Sequence, residues 1–221
     1  LETIADRYAR LRAEVPAHVT IVAVSKFQPA QAVREALAAG VTDVGENYVQ
    51  EAKRKFETLA YVKKHFIGHV QTNKAKAIVS LFDLVQSVDR LDAGVALAKA
   101  ASAIGKQLPV LVQINISPLE RFGCAPAQAE DLALKLRALE GLRVDGVMAI
   151  GPITEDRAAI ARAFATAAAV WKCVGGPVLS LGMSGDWREA VAAGSTMIRL
   201  GTTIFGPRPS RPTSKTASMS S

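Results

Sequence analysis

Residues able to do chemistry gather where apolar runs of this chain end. The β-branched run Val19–Ser25 gives way to Lys26-Phe27-Gln28-Pro29. A lysine leaving a buried strand costs free energy when charged and unpaired, so burial favours its neutral amine. A neutral amine is what imine formation with an aldehyde or ketone requires. The structural alternative is a lysine that snorkels to water from the strand exit. Much later, Leu181-Gly182-Met183-Ser184-Gly185-Asp186-Trp187 ends another apolar run where a helix should begin, and Arg199-Leu200-Gly201-Thr202-Thr203 ends the last one. Glycines admit close backbone approach, hydroxyls donate, and free amides at a helix start attract anions. Either loop alone reads equally as a turn with a helix cap. Together they suit a phosphate.

Positioning these residues falls to an alternation of short strands and longer Ala-rich amphipathic stretches. The strands are expected at Val19–Ser25, Asp43–Gly45, His65–Ile67, Leu84–Ser87, Val110–Ile116, Val144–Ala149, Pro177–Leu181 and Met197–Leu200. Helices are expected between them, for example over Pro29–Ala39, Tyr48–Leu59, Asp89–Ile104 and Glu155–Val170. Pro29 and Pro126 sit where a first helical turn tolerates proline, and Gly40, Gly105, Gly141 and Gly194 sit where helices should stop. Repeated strand–helix–strand units imply parallel strands with right-handed crossovers. An open doubly wound sheet also satisfies that pattern, but a count of eight favours a closed α/β barrel of the (β/α)8 TIM type, with Leu1–Val15 as an extra N-terminal helix. Residues 1–206 are then one domain. Residues 207–221, PRPSRPTSKTASMSS, form a polar tail with nothing to bury, expected to be flexible.

In such barrels ligands sit at the carboxyl ends of the strands, and phosphates often at the loops after strands seven and eight. Lys26 and the two late loops therefore predict one mouth binding a phosphorylated aldehyde or ketone. A Schiff-base sugar-phosphate aldolase fits, and so does a protein that keeps pyridoxal phosphate permanently.

Composition narrows the partners. Of 221 residues 49% are hydrophobic but only 5% aromatic, so the core must be aliphatic. A mean hydropathy of +0.18 excludes disorder for most of the chain. The formal charge of +7 could favour a phosphorylated small molecule. Its densest cluster, Lys53, Arg54, Lys55, Lys63 and Lys64, lacks interleaved aromatics and reads as a solvated helix face, so no nucleic-acid partner is expected. Cys124 and Cys173 lack disulfide or metal-ligand spacing and fit a reducing compartment. No apolar stretch approaches the roughly 20 residues of a membrane span. A cytoplasmic protein, acting as a monomer, is expected.

Several motifs together resemble the pyridoxal phosphate homeostasis protein family, itself related to the N-terminal barrel of alanine racemase. They are Val24-Ser25-Lys26, Gly45-Glu46-Asn47-Tyr48-Val49-Gln50-Glu51, His65-Phe66-Ile67-Gly68-His69-Val70-Gln71-Thr72-Asn73-Lys74, Gln113-Ile114-Asn115, Arg121-Phe122-Gly123, Gly146-Val147-Met148-Ala149 and the two late loops. The resemblance runs in order from about Ile4 to Gly206. It implies that Lys26 is the Schiff-base lysine, that Ser184, Gly201 and Thr202 hold the phosphate, and that Arg199 faces the pyridine nitrogen. Asn47 and His69 should face the cofactor region, although an asparagine cap and a structural histidine explain them equally well. Two departures matter: Gln28 and Arg121 stand where the family often has lysines, so imine formation at those positions is not expected.

Racemisation needs bases on both faces of the substrate. In full racemases one is a tyrosine from a further C-terminal domain, and Tyr8, Tyr48 and Tyr61 lie in no segment resembling it. The expectation is therefore a carrier or regulator serving vitamin B6 homeostasis, with pyridoxal phosphate as its small-molecule partner and pyridoxal-phosphate-dependent recipient enzymes as candidate protein partners. The alternative is a pyridoxal-phosphate-dependent amino-acid racemase or lyase.

Overall fold

The computed structural model describes residues 2–56, 59 and 61–207 of the chain. Eight parallel strands close into a barrel in sequence order. They are β1 (Thr20–Val24), β2 (Asp43–Glu46), β3 (Lys63–Phe66), β4 (Leu84–Val88), β5 (Leu108–Asn115), β6 (Leu142–Ile150), β7 (Val178–Ser180) and β8 (Met197–Leu200). Closure is made by β1 against β8, with Thr20 opposite Met197 and Ala23 opposite Leu200. The helices are α1 (Ile4–Glu14), α2 (Ala30–Ala38), α3 (Val49–Phe56), α4 (Ala75–Leu81), α5 (Leu91–Ser102), α6 (Ala129–Arg137), α7 (Arg157–Val174), α8 (Trp187–Ala192) and α9 (Thr202–Phe205). The (β/α)8 expectation holds, with α1 as the extra N-terminal helix. The strand bounds differ from the expected ones by one or two residues at most ends. The short α9, which the sequence pattern does not announce, follows the last loop directly. The polar tail lies, from residue 208 on, outside the described residues.

A capping box starts α1: the Thr3 hydroxyl accepts from the Asp6 amide, and the Asp6 carboxylate accepts from the Thr3 amide. This helix packs on the end of the chain, where Arg7 Nε donates to the Ile204 carbonyl at 2.7 Å. The first and last helices therefore brace the seam between β8 and β1.

Aliphatic side chains fill the layer between strands and helices, as the composition requires. Inside the barrel a small apolar cluster of Val22, Leu84, Leu111, Met148 and Met197 shares the space with buried polar residues. Among these, His65 Nε2 lies 2.8 Å from Asp43 Oδ1. Burial holds the His65 pKa below the ordinary imidazole value, outweighing the pull of Asp43. Burial alone would raise the Asp43 carboxyl, but hydrogen bonds from His65 and Thr42 hold it below the carboxylate range.

Both shifts act on stability in the same direction. Below about pH 6.5 the unfolded chain takes a proton on this histidine that the folded chain refuses, and at lower pH the aspartate repeats the pattern. The contribution of the pair is therefore complete above about pH 6.5; the histidine part is lost as the pH falls below that value, and the aspartate part only below the ordinary carboxylate value of about 3.9. Urea denaturation should show a lower midpoint at about pH 5.5 than at about pH 7.5, and the drop should shrink in His65→Asn. An unchanged midpoint would contradict the buried neutral histidine.

No helix among the described residues is long and apolar enough to cross a membrane.

Candidate active site

β1 ends at Val24, and the following loop carries Lys26 to the carboxyl-end mouth, where it is half-buried. Its neighbour Phe27 adopts a left-handed backbone at φ 65°, unfavourable for an aromatic residue and in need of outside support. That support comes from a buried ion cluster. The Lys55 ammonium donates to the Ser25 carbonyl at 2.7 Å, to Glu46 Oε2 at 2.9 Å and to Glu51 Oε2 at 2.6 Å, which uses all three of its hydrogens. Glu51 Oε2 also accepts the Phe27 amide at 3.0 Å, and Glu46 Oε1 accepts the Asn47 amide at 2.8 Å. Burial would raise the Glu51 carboxyl, yet hydrogen bonds from Lys55 and the Phe27 amide hold it below the ordinary value. The backbone on both sides of Lys26 is thus fastened to α3.

This corrects the reading of Lys55 as part of a solvated face. Its side chain is 8% exposed and that of Glu46 is fully buried, because the inward side of α3 carries Ala52, Lys55 and Phe56.

Asn47 leaves the end of β2. A Cβ on Gly68 would fall 2.1 Å from the Asn47 carbonyl oxygen, so only glycine lets the loop after β3 press on the one carrying Asn47. The loop after β7 carries Gly182 at φ 89°, a conformation that L side chains avoid. There a Cβ would also meet Ala190 Cβ at 2.7 Å. That close approach folds Met183-Ser184-Gly185 over the start of α8, and Asp186 accepts the Met183 amide at 2.6 Å. Ser184 Oγ faces the beginning of α9, with the Thr203 amide 3.4 Å away.

Arg199 stands on β8 and is 4% exposed. Its Nη1 donates to the Ser180 carbonyl at 2.8 Å and to Ser180 Oγ at 2.7 Å, and its Nη2 donates to the Ala149 carbonyl at 2.8 Å. Burial pulls its pKa down to about 10, partly offset by Asp186, so it stays cationic at neutral pH. Burial raises the Asp186 carboxyl, against the Met183 amide and Arg199.

These elements meet at one opening. Lys26, Asn47, Ser184, Arg199, Gly201 and Thr202 all line a cavity of about 290 Å³, close to the lower end of the usual range for small-ligand sites. Val24, Gln28, Ile67, Met148, Ile150, Met183 and Gly185 complete its wall, and none of these seven is a site residue expected from sequence. The apolar residues are those that strand ends inevitably present at a barrel mouth, so no local signal marks them. His69 lies beside this cavity rather than on its wall. It lines a larger adjoining cavity of about 760 Å³ with Gln113, Asn115 and Arg121, its ring stacked on Phe122 at 4.0 Å. Asn47, Ile67 and Ile150 line both cavities. Among the described residues, Asn47 Oδ1 and His69 Nδ1 are buried without a hydrogen-bond partner, and no acidic, histidine or cysteine cluster could hold a metal ion.

The donor set suits a small phosphorylated aromatic aldehyde. It combines an amine, a buried cation with no acceptor atoms, and two hydroxyls beside glycines. The orphaned Asn47 oxygen asks for a donor such as a ring hydroxyl, since a buried unpaired acceptor costs about 1–3 kcal/mol.

The family model of the alanine racemase N-terminal domain matches residues 1–209. A pyridoxal phosphate homeostasis protein of Pseudomonas aeruginosa is 41% identical, over 94% of this chain and 97% of that protein. One of Escherichia coli is 42% identical over 87% of each. The structure of PipY from Synechococcus elongatus, solved with PLP bound, superposes with a TM-score of 0.85 at 36% identity, covering 92% of this chain and all of PipY. The chain belongs to the family of pyridoxal phosphate homeostasis proteins, built on the barrel of the alanine racemase N-terminal domain.

Proposed function

We propose that this protein binds pyridoxal phosphate as a Schiff base on Lys26 and serves intracellular vitamin B6 homeostasis as a carrier or regulator of the cofactor. The observation that carries this reading is the convergence of Lys26, Ser184, Arg199, Gly201 and Thr202 on one cavity. The homeostasis proteins at 41–42% identity and the PLP-bound PipY support it.

Bound there, pyridoxal phosphate supplies an aldehyde for the amine and an electron-withdrawing ring. Lys26 would supply the amine for the imine, with the aldehyde oxygen lost as water. Ser184 and Thr202 offer hydroxyl donors to the phosphate, and Gly201 leaves room for it. A Cβ built on Gly201 would meet nothing nearer than the Val24 carbonyl oxygen at 3.6 Å, so the position is open. Arg199, a donor with no lone pair to share, would face the ring nitrogen and would leave it unprotonated. Such a ring withdraws electrons weakly, which suits retention better than carbanion chemistry. Release to pyridoxal-phosphate-dependent enzymes is the corresponding delivery step.

Comparative titration tests the phosphate cradle. Pyridoxal phosphate should bind on the order of 100-fold more tightly than pyridoxal, and Ser184→Ala should narrow that ratio about tenfold. Equal affinities for the two aldehydes would refute the cradle.

A racemase or lyase is the second reading. The adjoining cavity favours it, with room for an amine-bearing acid beside Asn47 and the Arg121 guanidinium. Deuterium uptake at the α-carbon of added amino acids separates the two. The carrier reading predicts no turnover of chiral product.

A further inference from the structure

We propose that Asp43, His65, Gln86 and Ser180 form a positioning relay that fixes the plane and aim of the Arg199 guanidinium and thereby helps keep the ring nitrogen it would face unprotonated. The second half of this proposal rests on the pyridoxal phosphate reading above; the relay itself does not.

The direction of every bond follows from the one before it. Arg199 has no acceptor atoms, so Ser180 Oγ must accept from Nη1 at 2.7 Å. The Ser180 hydrogen is then free for Gln86 Oε1, also at 2.7 Å. With its oxygen so engaged, Gln86 turns Nε2 toward His65 Nδ1 at 2.8 Å. His65 Nδ1 must therefore be unprotonated, which puts the ring hydrogen on Nε2, 2.8 Å from Asp43 Oδ1. Asp43 Oδ2 accepts the Thr42 hydroxyl at 2.7 Å. The second Gln86 Nε2 hydrogen points at Met197 Sδ, 3.2 Å away.

A cation ends the row on one side and a carboxylate on the other, so the sense of donation is locked. Reversing the Gln86 amide would set its oxygen against Nδ1 and demand a doubly protonated, charged imidazole. The site disfavours that charge, because His65, Gln86 and Ser180 are fully buried. Lys63 and Asp83 also act on His65, and Asp186 on Arg199, but none of them belongs to the row.

The relay crosses the barrel interior from β2 through β3 and β4 to β7 and β8, and of its five members only Arg199 lines the Lys26 cavity. Three of the five guanidinium hydrogens go to Ser180 and Ala149, which leaves two for a ligand among the described residues. A guanidinium held this way keeps its plane and its remaining donors aimed, where a loose one would share them with water.

Two arms test the proposal on the full chain. In the unloaded protein, nitrogen NMR of labelled histidine should show His65 with Nε2 protonated and Nδ1 bare, unchanged across neutral pH. A protonated Nδ1, or a mixture of tautomers, would overturn the relay whatever the cofactor does. In protein loaded with pyridoxal phosphate, the near-isosteric Asp43→Asn and the change Gln86→Leu should each raise the pH midpoint of the cofactor absorbance by about one unit. Ser195→Ala, which removes a buried hydroxyl bonded only to backbone, should leave that midpoint in place. Equal shifts in all three variants, or in none, would reduce the relay to core packing. Failure of the wild-type chain to load would count against the cofactor reading alone, since the NMR arm needs no cofactor.

Discussion

Replacing Lys26 with alanine is expected to abolish the absorbance band of protein-bound pyridoxal phosphate and to weaken retention by at least about 100-fold, on the order of 3 kcal/mol. The phosphate cradle and Arg199 are untouched by this change, so residual binding should be reversible and lost on dialysis. Lys26→Arg separates charge from chemistry. It keeps a cation at the mouth but offers no amine for an imine, so it should behave like the alanine variant. A band that survives either change would place the covalent link elsewhere.

The second large effect is one of stability. Lys55→Met should lower unfolding free energy by about 3–5 kcal/mol, because it leaves Glu46 buried without its cation. For a chain of this size that corresponds to a fall in Tm of roughly 10 °C. The neighbouring Lys53→Met, on the exposed side of α3, should cost within about 0.5 kcal/mol. Cofactor loading should suffer as well, since Lys55 holds the Ser25 carbonyl and, through Glu51, the strained Phe27 backbone. Thermal and urea denaturation of the two variants decide the matter. Similar losses for both would mean that the cluster does not brace the Lys26 loop.

Why was the mouth of the barrel legible before the structure, and its interior not? Strand–helix alternation sets which residues end strands, and in a β/α barrel strand ends face one opening. Lys26, Ser184 and Arg199 could therefore be grouped from order alone, although 173 residues separate the first from the last. His69 follows its strand in the same way, yet a neighbouring cavity takes it, because sequence order carries no information on which way a loop side chain turns. Lys55 was hidden by its company. Between Arg54 and Phe56 it reads as one more surface charge, and only its spacing from Glu51 hints at a bond.

The relay left a fainter trace. His65, Gln86 and Ser180 each interrupt an apolar run, and a polar residue inside a doubly buried strand must find a partner. A sequence shows that need without showing the partner. Gln86 and Ser180 are 94 positions apart and meet only because the barrel closes.

Reduction with borohydride followed by peptide mapping tests the central claim most directly. The purified protein, loaded with pyridoxal phosphate and reduced, should carry one phosphopyridoxyl group, on the peptide containing Ser25-Lys26-Phe27. A modified lysine anywhere else, or a spread over surface lysines such as Lys53 and Lys63, would contradict it.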